Sequence, residues 1–362
     1  MLNGSPMISV LSTLSRFGEK PSVPTFFALS YSSSRPSLWR STDGILWTQT
    51  DTTVSGPAAA SVGGSIAIDH NGFMIDYRID GELYGSNNMG ATWSRIDNFS
   101  TQPPTMNAMP RSSARYLRHT QQFQVTVGAS SLHYISGRNT PKNTPLTWTT
   151  LNASTFNGAG AMNTLVIRKA PTNPGTAAPG AVANAGNVPV GGFMYGSHSF
   201  TPASWSTNTS GPNNAWVRGA YSPSKEITLW ASANTTGTGS IAYSKNASFM
   251  TPYEGVYNTP NWAARPGEFF WSEILQHFVR TDFFTGTNAG QRYIFVSPTG
   301  ETWTRIDLGQ NPGTVWGWCE NDDVLCMMTL NGKSIVMKSL TDIKFGAGPV
   351  TNGIGCYFPP SS

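Results

Sequence analysis

The sequence is poor in charged residues, which make up only 12% of its 362 positions. Long surface helices depend on Glu, Lys, Ala and Leu, so this shortage argues against a helical fold. The chain holds instead 37 glycines and 25 prolines, with Ser, Thr and Asn between short apolar runs. This composition is typical of short strands joined by turns, and we predict an all-β protein.

Cysteine is nearly absent as well. Only Cys319, Cys326 and Cys356 occur, and so small and odd a number argues against a disulfide framework. Cys319 and Cys326 could face each other across a hairpin that turns at Asp322 and Asp323. We nevertheless interpret the three cysteines as buried free thiols.

Long hydrophobic runs are missing too. No apolar stretch approaches the ~20 residues that a membrane-crossing helix needs, so we expect no membrane span. The start of the chain lacks the basic and apolar regions of a signal peptide, and we expect synthesis in the host cytoplasm without a leader. The net charge of +4 is not gathered into a basic patch, which argues against nucleic acid as a partner.

The sequence does contain a repeated motif that runs from a serine to an aromatic residue. The three clearest copies are STDGILW, SNNMGATW and SPTGETW. Together with four weaker copies they recur about every fifty residues, the length of a four-stranded propeller blade. The terminal aromatic residues are Trp47, Trp93, Trp148, Trp205, Phe249, Trp303 and Phe345.

Each residue type in the motif has a physical role in a tight turn. Ser and Asp side chains bond to turn N–H groups, glycine permits a positive φ, and the aromatic ring packs beneath the turn. We therefore expect Ser41, Asp43, Gly44 and Trp47 to be structural residues. Their counterparts in other copies are Ser86, Asn88, Gly90 and Trp93; Ser244, Asn246 and Phe249; Ser297, Gly300 and Trp303; and Ser339, Asp342 and Phe345.

The motif resembles the Asp box, S-x-D-x-G-x-T-W, which is also called the BNR repeat of sialidase-like β-propellers. Most copies depart from this consensus, since only Asp43 and Asp342 supply the acid. The resemblance covers nearly the whole chain. It implies a single domain over residues 1–362, a seven-bladed propeller of four-stranded antiparallel blades. The Pro/Gly/Ala-rich stretch at about 170–190 is predicted to be a loop insertion in the fourth blade.

The resemblance to sialidases raises the question of catalysis. Those enzymes hold a carboxylate with three arginines and use a Tyr–Glu pair and an Asp. No such Tyr–Glu pair and Asp can be placed here around one group of arginines. Other glycosidases need two carboxylates at a suitable separation, and nothing in the sequence selects a pair. The carboxylates considered are Asp69, Glu254, Glu268, Glu273 and Asp282.

The five histidines show no metal-ligand spacing. We therefore predict no catalytic residues, no cofactor and no metal site. Two sets of residues remain as binding candidates, arginines on predicted inner strands and tryptophans that could stack on a sugar. For Trp316 and Trp318, which share one strand face, core packing is the alternative interpretation. The candidates are Arg115, Arg118, Arg218, Trp262, Trp316 and Trp318.

Fold specifies function poorly here, because Asp-box propellers include enzymes, assembly factors, receptors and phage tail proteins. Low charge, the absence of a leader and a compact all-β domain resemble the non-enzymatic propellers of bacteriophage tails. We therefore expect a structural virion protein, in the tail or associated with the capsid, that docks other virion proteins or a host receptor. The alternatives are a propeller lectin that binds host surface glycan and a glycoside hydrolase of sialidase-like fold.

Overall fold

The structure is a computed structural model in which all the regular elements that are described are strands. They form seven four-stranded antiparallel sheets, and the prediction of an all-β antiparallel fold is confirmed. The structure describes residues 20–32, 35–51, 64–78, 82–98, 114–127, 132–136, 148–151, 162–167, 181–185, 192–196, 205–208, 216–232, 240–245, 255–258, 265–283, 292–329, 331–351 and 353–359.

The sheets are numbered here in chain order. Sheet 1 consists of β1 (Thr25–Ser32), β2 (Arg35–Ser41), β3 (Thr48–Asp51) and β28 (Ile354–Tyr357). Sheet 2 consists of β4 (Gly64–Ile68), β5 (Met74–Arg78), β6 (Glu82–Ser86) and β7 (Ser94–Asn98). Sheet 3 consists of β8 (Ala114–Leu117), β9 (Gln122–Val127), β10 (Leu132–Ser136) and β11 (Trp148–Leu151).

The remaining four sheets follow the same order along the chain. Sheet 4 consists of β12 (Met162–Ile167), β13 (Ala181–Ala185), β14 (Gly192–Gly196) and β15 (Trp205–Asn208). Sheet 5 consists of β16 (Trp216–Ser222), β17 (Ile227–Ser232), β18 (Ser240–Ser244) and β19 (Gly255–Asn258). Sheet 6 consists of β20 (Arg265–Ser272), β21 (His277–Phe283), β22 (Tyr293–Ser297) and β23 (Thr304–Asp307). Sheet 7 consists of β24 (Val315–Glu320), β25 (Leu325–Thr329), β26 (Lys333–Met337) and β27 (Ile343–Ala347).

Sheet 1 is completed by the last strand of the chain. Its order is β28-β1-β2-β3, so β28 takes the place that the first strand holds in every other sheet. The pairing is antiparallel, with Phe26 opposite Cys356 and Ala28 opposite Ile354. The two ends of the described chain are therefore held together by backbone hydrogen bonds.

The sheets touch each other through their first strands. β28 contacts β4, and β4 contacts β8; β12 contacts β16, β16 contacts β20, β20 contacts β24, and β24 contacts β28. The hydrophobic core lies between neighbouring sheets rather than inside any one of them. One buried cluster, for example, joins Phe27 and Leu38 of sheet 1 to Ile68 and Met74 of sheet 2.

The stretch 170–190, predicted to be a loop insertion, is not a loop throughout. It contains β13, where Ala183 lies opposite Leu165 of β12 on one side and Met194 of β14 on the other. The sequence AVANA carries little strand propensity, so its pairing with both neighbours rather than its composition makes it a strand. Residues 168–180 and 186–191 lie outside the described part of the chain.

The turn between the first and second strands has a repeated conformation. Gln121, Glu226 and Gln276 each stand one position before the second strand of their sheet, with φ of 56°, 57° and 54°. A non-glycine residue in the left-handed region is uncommon, so its recurrence at one position reflects a shared hairpin geometry. No helix among the described residues is long and apolar enough to cross a bilayer.

Candidate functional site

The turns between third and fourth strands carry the repeated serine-to-aromatic motif. We call residues 41–47, 86–93 and 297–303 the first, second and third box turns. In the first, Ser41 Oγ donates to Asp43 Oδ1 at 3.0 Å and accepts the N–H of Gly44 at 2.8 Å. Asp43 Oδ1 also accepts the N–H groups of Ile45 and Leu46, at 2.8 and 2.9 Å.

These bonds decide the charge state of the first box turn. Burial acts to raise the pKa of Asp43, but hydrogen bonds from Leu46, Ile45 and Ser41 outweigh it, so the pKa lies below its usual value. The indole Nε1 of Trp47 donates to the carbonyl of Gly44 at 2.9 Å and holds the ring under the turn. The carboxylate therefore serves the turn itself.

The second and third box turns use the same bonds with other side chains. Gly90 and Gly300 donate their N–H groups to Ser86 Oγ and Ser297 Oγ, at 2.9 and 2.7 Å. Asn88 Oδ1 takes the place of the carboxylate and accepts the N–H of Thr92 at 2.9 Å. The two indoles bond in the same way to the carbonyl three residues earlier, Trp93 at 3.0 Å and Trp303 at 2.9 Å.

The glycines of the three box turns also touch the neighbouring sheet. All three have positive φ, and a Cβ on any of them would come too close to a side chain of that sheet. At Gly44 it would lie 2.9 Å from Sγ of Cys326, and at Gly90 it would lie 2.7 Å from Cδ2 of Leu38. At Gly300 it would lie 2.6 Å from Cδ1 of Leu229. Each glycine thus lets one sheet pack closely against another.

The weaker copies of the motif are described only in part. Ser339 Oγ accepts the N–H of Asp342 at 3.0 Å, and Phe345 packs against the core between sheets 6 and 7. Trp148 is partly buried against the core between sheets 2 and 3. Ser244 is buried at the end of β18, and Trp205 begins β15. Asn246 and Phe249 lie outside the described residues.

A second group of polar contacts links the turns between the first and second strands of sheets 5, 6 and 7 to one another and to the first box turn. Ser224 Oγ of sheet 5 donates to a carboxylate oxygen of Glu273 in sheet 6 at 3.0 Å. Glu320 at the end of β24 in sheet 7 accepts the hydroxyl of Ser272, and it also accepts the N–H of Glu273 at 3.0 Å. Asn321 Nδ2 then donates to the carbonyl oxygen of Thr42 in sheet 1 at 3.2 Å. Sheets 5, 6, 7 and 1 are thereby joined in sequence.

The carboxyl group of Glu320 in this network has a pKa that is shifted upward. Burial raises the pKa of its carboxyl to about 7, and the nearby Glu273 carboxylate adds to the rise. The bonds from Ser272, Glu273 and Ile274 act in the opposite direction but do not cancel it. Glu320 therefore exchanges its proton near neutral pH at the junction of sheets 6 and 7.

We predict that Glu320→Gln removes a pH dependence of stability. A carboxyl whose folded pKa is raised binds its proton more tightly in the folded state, so its contribution to stability is lost as pH rises from about 4.5 to about 7. The free energy of unfolding of the wild type should fall by roughly 1–2 kcal/mol relative to the variant over this range, since partial exposure weakens the effect. Urea unfolding at pH 5 and pH 8 measures it.

The matched control is Glu301→Gln, which removes the same charge from an exposed carboxylate paired with Lys245. That variant should keep the pH dependence of the wild type. Parallel pH profiles for the wild type and Glu320→Gln would contradict the assignment.

Two of the three candidate arginines lie on the first strands of their sheets. Arg115 on β8 and Arg218 on β16 are both partly buried. Nε of Arg218 donates to the carbonyl of Gly267 on β20 at 3.1 Å, and burial lowers the pKa of Arg115 while the carboxylate of Glu268 opposes that shift. Because Gly267 and Glu268 are consecutive, both arginines interact with the same short segment of β20.

That segment of β20 is irregular. The register of β20 against β21 shifts between Pro266 and Phe269, and the N–H of Glu268 donates to Oγ1 of Thr281 at 2.8 Å. Such a bulge re-aims side chains, and the carboxylate it presents is only 3% exposed. The buried Glu268 carboxylate is close enough to Arg115 for the two charges to interact inside the protein.

Arg118 lies in the turn after β8, not on the strand itself. Its guanidinium stands 3.6 Å from the centre of the Phe358 ring, next to β28. In the same turn region, Tyr116 Oη lies 2.6 Å from Nδ1 of His70 in sheet 2, and the rings of His119 and Tyr221 approach to 5.6 Å. One hairpin of sheet 3 thus reaches sheets 1, 2 and 5, a set of contacts that strand periodicity does not reveal.

Two of the three candidate tryptophans lie in the hydrophobic core. Trp316 is buried, and Trp318 is stacked on Phe270 with ring centres 3.8 Å apart. Both therefore pack in the interior, which is the alternative interpretation that the sequence offered. Trp262 lies outside the described residues, and so does Glu254, one of the carboxylates considered above.

The three cysteines are free and close together. Cys319 lies opposite Cys326 across the hairpin of β24 and β25, and Cys356 belongs to the same buried cluster. Burial raises the pKa of each thiol, so all three stay protonated near neutral pH and are poor nucleophiles. Across the described ranges, no group of three or more His, Cys, Asp and Glu side chains could hold a metal ion.

Comparison with solved structures identifies the architecture. Sqt1 of Saccharomyces cerevisiae matches with a TM-score of 0.58 and 12% identity, over 91% of this chain and 84% of that one. The Dos1 propeller matches with a TM-score of 0.54 and 11% identity, over 94% and 91%. The fold is a β-propeller. A protein from Lactobacillus plantarum also matches this propeller, with a TM-score of 0.55, 14% identity and coverage of 92% and 99%.

These likenesses carry no information on activity, because identities this low show the fold alone. No protein-family model matches the propeller, and no curated protein sequence is detectably similar to it.

Proposed function

We propose that the seven sheets are the blades of one closed seven-bladed propeller of the Asp-box type. We further propose that this propeller is a non-catalytic structural component of a bacteriophage virion, located in the tail or at the capsid. Its role there is to dock other virion proteins or a host receptor.

The observation that carries the proposal is the close packing of the box-turn glycines on neighbouring sheets. Gly44, Gly90 and Gly300 leave no room for a Cβ, so each turn fixes the position of one sheet against another. The hydrogen bond that Glu320 accepts from Ser272 links sheets 6 and 7, and the bond that Asn321 donates to Thr42 links sheets 7 and 1. A propeller whose sheets are fixed against each other in this way is rigid, and a structural component of a virion needs such rigidity.

The state of the candidate side chains supports a non-catalytic role. Arg218 and Arg115 interact with β20, Arg118 covers Phe358, and Trp318 is stacked in the core. The Asp43 carboxylate and the Glu320 carboxyl are held by turn N–H groups. These groups serve internal contacts, whereas an active site needs side chains that are aimed at a substrate.

A closed ring of sheets also limits aggregation of a protein that is present at high local concentration. In a propeller the short outer strands are the only sheet edges, which limits strand-to-strand association between copies. On β23 that edge is exposed and polar, and an Arg292–Asp307 ion pair lies at its end. Charged edges of this kind disfavour aggregation.

The test of the proposal is the protein content of purified particles. Density-banded virions from the host that carries the coding sequence are analysed by quantitative mass spectrometry and by immunogold electron microscopy. The proposal predicts this chain in fixed ratio to tail or capsid proteins, with gold on the particle. A chain that stays in the soluble fraction, with unlabelled particles, would contradict the virion role.

The lectin and hydrolase alternatives are separate outcomes of a second test. A glycan array probed with the purified chain should show no tight binding to a single sugar class. Micromolar or tighter binding to one class would favour the lectin. Cleavage of a bound glycan that is lost on replacing one carboxylate would establish the enzyme.

A further inference from the structure

The side chain of Arg118 is held in place by an aromatic ring, but its N–H groups make no hydrogen bond or ion pair with the described residues. Arg118 is exposed in the turn between β8 and β9, and its guanidinium carbon stands 3.6 Å from the centre of the Phe358 ring. At this distance the two planar groups stack face to face. The N–H donors lie in the plane of the guanidinium, so stacking leaves them available for an acceptor.

Other arginines of the protein use their donors internally. Nε of Arg78 lies 3.1 Å from Oδ2 of Asp76, and Nε of Arg218 donates to the carbonyl of Gly267 at 3.1 Å. Arg118 differs from both, because it is exposed and its contact with Phe358 uses no N–H group. A guanidinium in this state can bind a carboxylate of another molecule through two parallel hydrogen bonds.

Two further basic side chains lie at the neighbouring turn of sheet 2. Tyr116, on the strand that leads to Arg118, brings its Oη to 2.6 Å from Nδ1 of the exposed His70. Lys20 is exposed beside the same turn, since a Cβ on Gly72 would lie 3.2 Å from its Cε. Arg118 and Lys20 carry permanent positive charges, and His70 adds another when it is protonated.

The carboxyl group of that turn of sheet 2 is buried and already bonded. Asp69 is 4% exposed, and its Oδ1 accepts the N–H groups of Asn71 and Phe73, at 2.9 and 2.7 Å. Burial raises the pKa of Asp69, while the bond from Phe73 and the charges of His70 and Lys20 oppose the rise. Asp69 therefore does not offer an exposed carboxylate to Arg118.

One exposed acid of sheet 7 also lies within electrostatic range of the end of β28. Burial raises the pKa of Cys356, the charge of Arg118 opposes this rise, and the charge of Asp322 adds to it. No ion pair joins Arg118 to Asp322, although both residues are described and exposed. The surface is thus basic on the side of sheets 2 and 3, with an acid on the side of sheet 7.

We propose that Arg118 is the central contact of a docking site for an acidic segment of a partner protein. One carboxylate of that segment pairs with the N–H edge of the guanidinium, and further acidic side chains interact with Lys20 and His70. Stacking on Phe358 orders the guanidinium before the partner binds, which reduces the entropy cost of pairing. The inference rests on the proposed docking function and names the chemistry of the docked partner.

Side-chain NMR on the full chain, produced with isotope-labelled arginine, tests the site. The Nε–H signals of Arg118 and Arg305 are identified by their loss in Arg118→Gln and Arg305→Gln. The probe is the peptide Ser-Glu-Asp-Glu-Ser, blocked at both ends. The Arg118 signal should shift to saturation, at peptide concentrations roughly tenfold or more below those that affect Arg305.

Arg305 is the matched control within the same protein. It is exposed, and its guanidinium carbon lies 4.5 Å from the centre of the Tyr293 ring. Its charge already acts on an acid of the same strand, because Arg292 and, more weakly, Arg305 lower the pKa of Asp307. An arginine over an aromatic ring is therefore not enough, and the peptide should prefer Arg118.

Two variants and two small anions complete the experiment. Lys20→Gln should weaken peptide binding, and Asp322→Asn should strengthen it by about twofold or more, since it removes a repelling carboxylate. Equal shifts without saturation at both arginines would overturn the proposal. Tighter binding of inorganic phosphate or glucuronate than of the peptide would overturn the protein partner in favour of a phosphate or sugar ligand. None of these results depends on the particle analysis, so failure of this site and failure of the virion role can be told apart.

Discussion

Gly300→Ala is expected to lower the free energy of unfolding by about 3 kcal/mol. The backbone φ of Gly300 is +88°, a region that costs a residue with a Cβ about 1–2 kcal/mol. The new methyl group would also stand 2.6 Å from Cδ1 of Leu229, and overpacking of this kind adds roughly 1–3 kcal/mol. Equilibrium unfolding in urea, with an unchanged m-value, gives the loss directly.

Gly309→Ala separates the two causes. Gly309 has a similar φ of +77°, but nothing lies within 4 Å of the position that its Cβ would take. The Gly309→Ala variant should therefore lose only about 1 kcal/mol of its free energy of unfolding, which is the cost of the backbone conformation. In a double-mutant cycle, Leu229→Ala should relieve part of the loss in Gly300→Ala. Equal losses for the two glycines and no coupling to Leu229 would mean that the box turn does not pack against sheet 5.

Tyr357→Ala is expected to cost about 4 kcal/mol, the usual range for removing a large aromatic side chain from a core. Tyr357 ends the last strand, is 1% exposed, and belongs to the cluster that joins sheets 1 and 2. Its backbone lies opposite Thr25 of β1. Urea unfolding measures the loss in free energy. A loss of this size would show that β28 packs in the hydrophobic core between sheets 1 and 2.

The control for this variant is Leu46→Ala. Leu46 is 75% exposed, so its truncation should change the free energy of unfolding by less than about 0.5 kcal/mol. If Tyr357→Ala were as mild as Leu46→Ala, β28 would not be part of the folded core.

The strong box turns could be predicted from the sequence because their interactions are local. Ser41, Asp43 and Gly44 bond within a few residues of each other, and residue type at fixed spacing is enough to expect those bonds. The same holds for the all-β composition and for the hairpin that sets Cys319 opposite Cys326. Periodicity and turn chemistry report on neighbours in the chain.

The contacts between sheets could not be predicted in that way. Nothing near Gly300 in the sequence indicates Leu229, and nothing near Glu320 indicates Ser272, because their partners lie far away along the chain. The strand β13 was missed for a related reason, since its alanines pair as a strand only between β12 and β14. The inter-sheet role of the motif is thus a property of the fold rather than of the turn.

The central claim is that the chain closes on itself through its last strand. Hydrogen exchange followed by mass spectrometry tests it on peptides that cover residues 353–359 and 25–32. If β28 is the first strand of sheet 1, paired with β1, its amides should exchange as slowly as those of β1 and only through global unfolding. Exchange of the 353–359 peptide within seconds, while β1 and β2 stay protected, would contradict the account.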